Sequence, residues 1–438
     1  MTVQLILVRH GSAENLKPEG KDEDRQLTES GKSELIARMA DLRELINPNQ
    51  EIHLWSSILL RAVETADILA QGLGLSKIVH FDFINRGDLV DLTNEIATLK
   101  SPCAVIAIGH EPSLGDWSKS ICGYRIPFDK GLAASIRLSA LSPLTGEMEW
   151  LLPLKKPVLN RRKPLKSEYQ KLLVFYFSDV SKAKYEFLKT PEDPETAHQF
   201  RIKIRQMRSL ISFIKPLMDE EKYQLIQSRL RSLTNRFGGL RELDAIMEEW
   251  LLLTEKHADC PDVCTALREV IEKERRGQVA ELRKLYMTEQ PFNKLEDIWG
   301  LIIEASWEFD EKTNRLYGEY IDGRINKLLK KTEKDFKSID LKDIEKTHKL
   351  RINIKKLRYN LAILEPKIKR KTQIMNNLKM LQYKLGLICD AHRDELILSE
   401  LRTRYDEKTF HYESGLLAGY LIAKSDRIEE ELENFHRI

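Results

Sequence analysis

Two histidines and two arginines in the first third of this 438-residue chain are suited to one kind of chemistry. Arg9 and His10 follow an apolar run at residues 5–8, Arg61 opens a helical pattern, and His110 follows a second apolar run. A neutral histidine can attack phosphorus and hold the phosphoryl group as a phosphoramidate. Guanidinium groups bind the equatorial oxygens, over which charge spreads in the transition state. These residues indicate phosphoryl transfer, with His10 as the nucleophile.

Short apolar runs alternate with helical patterns around these residues. They predict strands and helices in the following places: strands at 3–8, 53–56, 103–108 and 135–138, and helices at 32–46 and 61–73. This alternation predicts an α/β domain whose mainly parallel sheet is covered by helices on both faces. Ligands bind at the carboxyl ends of strands in such sheets, where His10 and His110 fall. We expect Gly11 to let the backbone turn tightly there.

A second group of candidate residues lies on a helical pattern that occurs twice, 150 positions apart. The basic positions pair as follows: His198 with His348, Arg201 with Arg351, Arg205 with Lys355, and Arg208 with Arg358. At about 100° per residue, each set of four lies within an arc of about 80°. An apolar stripe repeats beside each set, which predicts two equivalent core-facing helices. Because stacked cations repel one another, the basic stripes indicate a polyanionic partner.

The chain divides where its composition changes. A Lys-, Arg- and Pro-rich stretch without apolar periodicity predicts a linker at 154–166, after an N-terminal domain at 1–153. Amphipathic helical patterns continue from 167 to 438, which predicts an all-α region. A second repeated element pairs Gly238 with Gly386. We therefore expect a pair of pseudosymmetric helical bundles, built from repeats at about 167–290 and 291–438.

Charge and composition narrow the classes of function. The net charge of +3 combines −5 over residues 1–155 with +8 over the remainder, which assigns anion binding to the helical region. No apolar run approaches ~18 residues, so we expect neither a signal peptide nor a membrane span. Five scattered cysteines favour a reduced, cytoplasmic compartment. His257, Cys260 and Cys264 lack an evident fourth ligand, so we expect no metal and no cofactor.

Four sequence elements of the first part resemble the histidine phosphatase superfamily, in particular its SixA-like bacterial phosphohistidine phosphatases. They read RHG at 9–11, RQLTESG at 25–31, RAVETA at 61–66 and GHEP at 109–112. The resemblance covers about residues 1–150. It implies a phosphohistidine intermediate on His10 and a phosphate pocket formed with Arg9, Arg61 and His110. His110 would donate a further hydrogen bond if it is protonated.

The general acid that protonates the leaving group is less evident. Asp88 and Glu95 are candidates, although neither lies in a matching motif, and the SixA-like branch also lacks an evident acid. An imidazole leaving group has a near-neutral pKa and departs far more easily than an alkoxide. The domain also has no long insertion to serve as a lid. Both points favour phosphohistidine, or another exposed phosphoryl group, as the substrate.

The repeated helices resemble the CHAD family over roughly residues 165–438. The resemblance implies that inorganic polyphosphate binds in a basic channel between two bundles, with Arg241 and Lys356 added to the repeated stripes. Glu242 and Gln206 depart from the family pattern, which suggests a weaker cationic face on the first bundle. Nucleic acid is the alternative ligand, although Tyr359 is the only obvious stacking platform beside the stripes. Intramolecular salt bridges are the structural alternative.

Taken together, these features predict a metal-independent phosphatase whose helical domain binds inorganic polyphosphate. Tethering would raise its local concentration near polyphosphate granules or near a phosphohistidine-bearing protein in the cytoplasm. The alternatives are a polyphosphate-binding scaffold with a weak phosphatase domain, and a nucleic-acid-binding helical domain.

Overall fold

The structure, a computed structural model, describes residues 3–47, 49–153, 157–255, 265–288, 298–302 and 314–433. Its first part contains one six-stranded sheet with the strand order β3-β2-β4-β1-β5-β6. The strands are β1 (Val3–Arg9), β2 (Glu51–Ser56), β3 (Ile78–His80), β4 (Cys103–Gly109), β5 (Ala133–Leu141) and β6 (Leu144–Leu152). The first four pair in parallel, whereas β5 and β6 run antiparallel at one edge.

Six helices cover this sheet: α1 (Glu29–Ala37), α2 (Met39–Leu45), α3 (Leu60–Leu73), α4 (Asp82–Arg86), α5 (Leu89–Ala97) and α6 (Ser113–Cys122). Alternate residues of β1 point to opposite faces. Ile6 and Val8 pack with α1, α2 and α3, whereas Leu5 and Leu7 pack with α4, α5 and α6. The single helix predicted at 32–46 is wrong, because Arg38 leaves helical geometry and separates α1 from α2.

The described residues of the second part form the following helices: α7 (Leu165–Lys189), α8 (Pro194–Phe213), α9 (Glu220–Asn235), α10 (Gly238–Glu255), α11 (Ala266–Thr288), α12 (Tyr317–Lys337), α13 (Ile344–Leu364), α14 (Lys371–Arg404) and α15 (Lys408–Glu433). Residues 298–302 are also helical. Helix α7 begins inside the segment that the sequence predicts as a linker.

The two copies of the repeated pattern form equivalent helices. Helices α8 and α13 begin 150 positions apart, and each is capped by an aspartate whose carboxylate accepts a backbone N–H of the first turn: Asp193 and Asp343. The apolar stripes are buried on both helices, as expected. The repeats differ farther along, because Gly238 and Gly239 lie where α9 gives way to α10, whereas α14 continues through Gly386.

Hydrophobic packing crosses the boundaries between the repeats and between the two parts. One core joins α10 and α11 with α15 and the second half of α14, and so draws on both repeats. A larger core runs from the α6 face of the sheet into α7, α8, α12 and α13. Lys182 of α7 also donates to Asp41 of α2 at 2.6 Å. The α/β domain is therefore docked against the helical region.

Candidate functional site

His10 lies at the carboxyl end of β1 with only 5% of its surface exposed. Its Nδ1 lies 2.8 Å from the carbonyl oxygen of Gly11. Because a carbonyl oxygen only accepts, Nδ1 carries the proton and Nε2 keeps its lone pair. Burial lowers the pKa of His10 to about 3, against the Gly11 hydrogen bond, and the charges of His110, Arg61 and Arg9 lower it further. The imidazole is therefore neutral at neutral pH, with the lone pair of Nε2 free.

The structure brings the other three predicted site residues to His10. Arg9 ends β1, Arg61 lies in the first turn of α3, and His110 follows β4. The His10 and His110 ring centroids are 5.0 Å apart. Within the part of the chain that the structure describes, each of these three neighbours keeps one buried nitrogen without a hydrogen-bond partner: Nε of Arg9, Nε of Arg61 and Nδ1 of His110. Unsatisfied buried nitrogens are costly, and they form a group suited to the oxygens of a phosphoryl group.

Both arginines are held in place by contacts that the sequence did not reveal. Arg9 Nη1 donates to the carbonyl of Phe128 at 2.6 Å. Arg61 Nη1 donates to the carbonyl of Asp22 at 2.7 Å, and its Nη2 lies 2.9 Å from the Asp22 carboxylate. Hydrogen bonds from Arg25, and then from Arg61, lower the pKa of Asp22, so its carboxylate is ionised. The only sequence signal was the position of Asp22 three residues before Arg25.

His110 is oriented by a second residue that the sequence analysis missed. Its Nε2 lies 2.8 Å from Oγ of the fully buried Ser57, whose Oγ also accepts from the backbone N–H of Leu59. Burial, and then the charge of Arg61, lowers the pKa of His110 to about 4. The imidazole is therefore neutral in the free site, and the expected protonated donor is not its resting form. If the Ser57 hydroxyl donates to Nε2, the proton of His110 lies on Nδ1, the nitrogen without a partner.

The RQLTESG element at residues 25–31 braces the loop that follows His10. Thr28 caps α1 and donates both its N–H and its hydroxyl to the carbonyl of Ser12. A Cβ at Gly31 would lie 2.3 Å from that same carbonyl oxygen, so this contact requires glycine. Gly11 does not have a positive φ, so its turn does not depend on the left-handed region. A Cβ at Gly11 would lie 2.8 Å from a terminal methyl carbon of Leu35, which would have to shift.

The two candidate general acids differ in how far the structure constrains them. Asp88 is the N-cap of α5, and its carboxylate accepts the backbone N–H groups of Val90 and Asp91. Glu95 lies on the same helix. The acidic residue directly after the second histidine, Glu111, is occupied by Arg125 and by the backbone N–H of Phe128. The Asp88 and Glu111 carboxylates are thus held by structural contacts.

The second candidate site lies where α8 crosses α13. Ser209 of α8 is fully buried there and donates to the carbonyl of Lys356 at 3.0 Å, with Asn360 Oδ1 at 3.2 Å. The crossing places the basic stripes of the two repeats beside each other. Arg205 of the first repeat accordingly acts electrostatically on Lys355 of the second.

Three of the predicted polyanion ligands already have protein partners. Arg351 makes a two-pronged ion pair with Asp390 at 2.7 and 2.8 Å. Its equivalent Arg201 is buried and donates to the backbone carbonyl of Phe237. Arg241 pairs with Glu248 at 2.7 and 3.1 Å. Arg351 and Arg201 therefore hold helices together, whereas the Arg241 pair lies within α10. The Arg351 and Arg241 contacts agree with the salt-bridge alternative at these positions.

Three other cations are without a partner among the described residues: Arg205, Lys355 and Lys356. Burial, and then the neighbouring charges of Arg205 and Arg351, lowers the pKa of Lys355 to about 7. Burial, followed by Arg208 and Arg231, also lowers the pKa of Lys356. Partly buried cations that repel one another form a surface suited to an anion.

The remaining stripe residues are two arginines with glutamine partners and two histidines. Arg208 and Arg358 donate to the side-chain oxygens of Gln227 and Gln382, and Arg358 keeps a buried Nε without a partner in the described chain. His198 is half-buried and His348 is exposed. For both histidines, burial is the main cause of a lowered pKa.

Arg393 is the residue that the sequence analysis missed in this site. It contacts Asp390 and Asp394, and its charge acts on Arg201 and His348. Cys389 occupies the position equivalent to Arg241, and Arg393 follows it by one helical turn, on the same face. The second repeat therefore has its arginine one helical turn beyond the position equivalent to Arg241.

Over the described ranges, no group of three or more His, Cys, Asp or Glu side chains is arranged to hold a metal ion. His257, Cys260 and Cys264 lie outside those ranges. Among the helices that the structure describes, none is sufficiently long and apolar to cross a membrane.

Comparisons with known proteins agree with this two-part structure. A CHAD domain model matches residues 177–398, and a model of the histidine phosphatase superfamily (branch 1) matches residues 5–102. The crystal structure of the CHAD domain from the plant Ricinus communis is 18% identical, covers 64% of this chain and 96% of that chain, and has a TM-score of 0.52. The structure of the protein histidine phosphatase SixA complexed with tungstate is 23% identical, covers 34% of this chain and 97% of that chain, and has a TM-score of 0.31.

A curated relative matches about a third of this chain over its own full length. This uncharacterized protein of Picosynechococcus sp. is 28% identical over 171 residues, which are 34% of this chain and 100% of that protein. The chain belongs to the CHAD domain family and carries an N-terminal domain of the histidine phosphatase superfamily. Both expected resemblances and the expected fold class, α/β followed by all-α, are thereby confirmed.

Proposed function

We propose that this protein is a phosphatase that acts through a phosphohistidine intermediate on His10 and binds inorganic polyphosphate through its helical domain. The observation that carries the first half is the group of unpartnered nitrogens on Arg9, Arg61 and His110 around a neutral His10. The observation that carries the second half is the set of unpaired cations that α8 and α13 bring together.

The first chemical step forms a bond between Nε2 of His10 and phosphorus, and breaks the bond from phosphorus to the leaving group. Arg9 and Arg61 stabilise the charge on the equatorial oxygens, and Nδ1 of His110 supplies a third donor. The Gly11 carbonyl holds the Nδ1 proton of His10 as Nε2 becomes bonded to phosphorus. Two guanidinium groups supply the positive charge, so this chemistry does not require a metal.

The second step is attack by water on the phosphoramidate, which releases inorganic phosphate and restores neutral His10. The substrate imidazole that leaves phosphorus in the first step takes its proton from solvent. This suits a site in which the Asp88 and Glu111 carboxylates are occupied by structural contacts. The substrate favoured by this arrangement is a protein phosphohistidine or another exposed phosphoryl group.

The polyphosphate half of the proposal follows from which cations are free. Arg205, Lys355 and Lys356 come from both repeats. Burial, and then the charges of neighbouring cations, disfavours their charged forms until an anion binds. A linear phosphate chain offers only negative charge and acceptor oxygens. Cations that carry N–H donors match both features, so this ligand needs no other kind of contact. Tyr359 is half-buried beside Arg205 and leaves little aromatic surface for stacking bases.

Calorimetric titration of the full chain tests the polyphosphate half of the proposal. Long-chain polyphosphate and single-stranded RNA are titrated calorimetrically at two salt concentrations into the wild type and into the variant R205A/K355A/K356A. The control variant K327A/K330A/K331A removes the same charge from three exposed lysines of α12. We expect tight polyphosphate binding that is lost only in the stripe variant. RNA binding of equal strength, or equal losses in both variants, would overturn the polyphosphate assignment.

An assay of phosphoenzyme formation and phosphate release tests the phosphatase half of the proposal. The wild type and His10→Ala are mixed with a phosphohistidine substrate and quenched in alkali, in which phosphoramidates survive. We expect the wild type to form a phosphorylated enzyme and to release phosphate, and we expect the variant to do neither. Equal turnover by both proteins would contradict the role of His10. An inactive wild type that still binds polyphosphate would leave the scaffold alternative in place.

A further inference from the structure

Helix α15 carries an apolar stripe that faces away from its own domain. Its large members, Tyr412, Leu416 and Ile422, are 66%, 49% and 47% exposed. Gly415 and Gly419 lie between them, and a Cβ at either glycine would meet no atom of the described residues within 4 Å. The opposite face of the same helix is buried against α10, α11 and α14. The stripe therefore has no part in the domain core.

The centre of the stripe is flat because it contains two glycines, and the side chains toward its ends are larger. Successive residues turn by about 100°, so positions 412, 415, 416, 419, 422 and 423 fall within an arc of about 120°. The glycines permit a second helix backbone to approach closely, as small residues do at helix–helix contacts. Tyr412 and Ile422 then pack on either side of that approach. Glycine inside a helix costs about 1 kcal/mol relative to alanine, so two in register are not explained by folding alone.

The stripe is complementary to itself when two copies run antiparallel. With the twofold axis level with Leu417, Gly415 meets Gly419 of the second copy, and Tyr412 lies beside its Ile422. The same register places Lys408 opposite Asp426. Both residues lie on the midline of the stripe, both are exposed, and neither has an ion-pair partner within the described ranges. Two opposite-charge pairs thus flank the apolar centre symmetrically.

We propose that this face of α15 binds a second copy of the chain in an antiparallel, twofold-symmetric contact. A twofold interface must be complementary to itself, and the apolar, small and charged positions of the stripe all satisfy that condition in one register. Pairing of two chains would present two cationic channels on one particle, which strengthens attachment to a long polyanion through avidity.

The full-length protein tests this contact by sedimentation velocity at about 1 to 100 µM, because a single-helix contact is small and reversible. We expect the average mass to rise from 51.0 kDa toward twice that value. The variant G415L/G419L should stay monomeric, because leucine side chains block the approach. It should remain folded, since leucine favours helix and the space at both positions is open.

A control variant and a charge exchange make the outcome specific. Gly323→Leu places the same substitution at an exposed helical glycine of α12 with equally open surroundings, and it should leave dimerisation unchanged. Lys408→Asp and Asp426→Lys should each weaken the dimer, and their combination should restore it. A wild type that is monomeric throughout, a dimer that survives G415L/G419L, or a charge exchange that fails to restore association would each overturn the proposal.

Discussion

The Asp22 carboxylate lies 2.9 Å from Nη2 of Arg61, so a loop carboxylate occupies part of the guanidinium that the phosphoryl group is expected to use. The same arginine also donates to the Asp22 backbone carbonyl, which fixes its direction independently of the carboxylate. In the proposed mechanism, Asp22 therefore orients Arg61 and competes with an incoming anion for it.

Replacing Asp22 by asparagine should lower KM for a phosphorylated substrate by about threefold or more at low salt, because a negative charge beside the pocket is removed. The backbone contact with Arg61 is retained, so kcat should change little. Steady-state kinetics at two ionic strengths measure the effect. Glu23→Gln, which removes a neighbouring charge from the same turn, is the control. A raised KM for Asp22→Asn would show that orientation outweighs competition.

Ser57→Ala should reduce kcat about tenfold, because His110 loses the hydroxyl that selects its tautomer. The substitution removes one buried oxygen without adding volume, so the fold should be retained. The decisive measurement is the ¹⁵N chemical shifts of the His110 ring, which distinguish a proton on Nδ1 from one on Nε2. If the shifts and kcat both stay at wild-type values, Ser57 has no positioning role.

Polyphosphate affinity should fall as the pH rises above about 7. Burial and neighbouring cations lower the pKa of free Lys355 to about 7, whereas a bound polyanion raises it. Below pH 7 the proton is already present, and above it binding must take up a proton, which costs up to tenfold in affinity per pH unit. Lys355→Arg should flatten this dependence between pH 7 and 9, because arginine stays charged.

Calorimetric titrations at a series of pH values, in buffers of different ionisation enthalpy, measure the affinity and the proton uptake together. Lys331→Arg makes the same replacement on the exposed face of α12 and should leave the pH dependence as in the wild type. Proton uptake that persists unchanged in Lys355→Arg would assign the titration to another group.

Two arginines of the basic stripes, Arg351 and Arg205, should respond differently to alanine. Arg351→Ala breaks the two-pronged pair with Asp390 and should cost about 2 kcal/mol of unfolding free energy. Arg205→Ala removes an unpaired cation, so stability should be kept or improved. It should instead lower the slope of log affinity against log salt by about 0.7. Denaturant unfolding and salt-dependent titration measure the two effects. The reverse pattern would contradict the division into paired and unpaired cations.

Local chemistry and periodicity predicted much of this molecule. The strand-end positions of His10 and His110 and the first-turn position of Arg61 followed from short motifs, because parallel strands place their carboxyl ends on one edge. The 150-residue repeat predicted α8 and α13 correctly, because a periodic apolar stripe must face a core wherever it occurs. The break at Arg38 was not predicted, because helical propensity continues through it.

The residues that were missed act through long-range contacts. Asp22 reaches Arg61 across 39 positions of the chain, and Ser57 reaches His110 across 53. Neither pairing leaves a periodic signal, because each depends on where a loop or a strand end comes to lie. Arg393 was missed because it lies one helical turn after Cys389, which is the position that the repeat makes equivalent to Arg241.

The amino-acid pattern alone thus settled the two families of fold and the residue types at each site, since hydrophobic period and motif spacing are local properties. Only the tertiary structure decided which cations are free. Arg205 and Arg351 look alike in the repeated stripe, yet Asp390 neutralises one of them and no described side chain pairs with the other. Pairing depends on the side chains that folding brings within a few ångströms, and charge interactions at that range are set by the packing of helices distant in sequence.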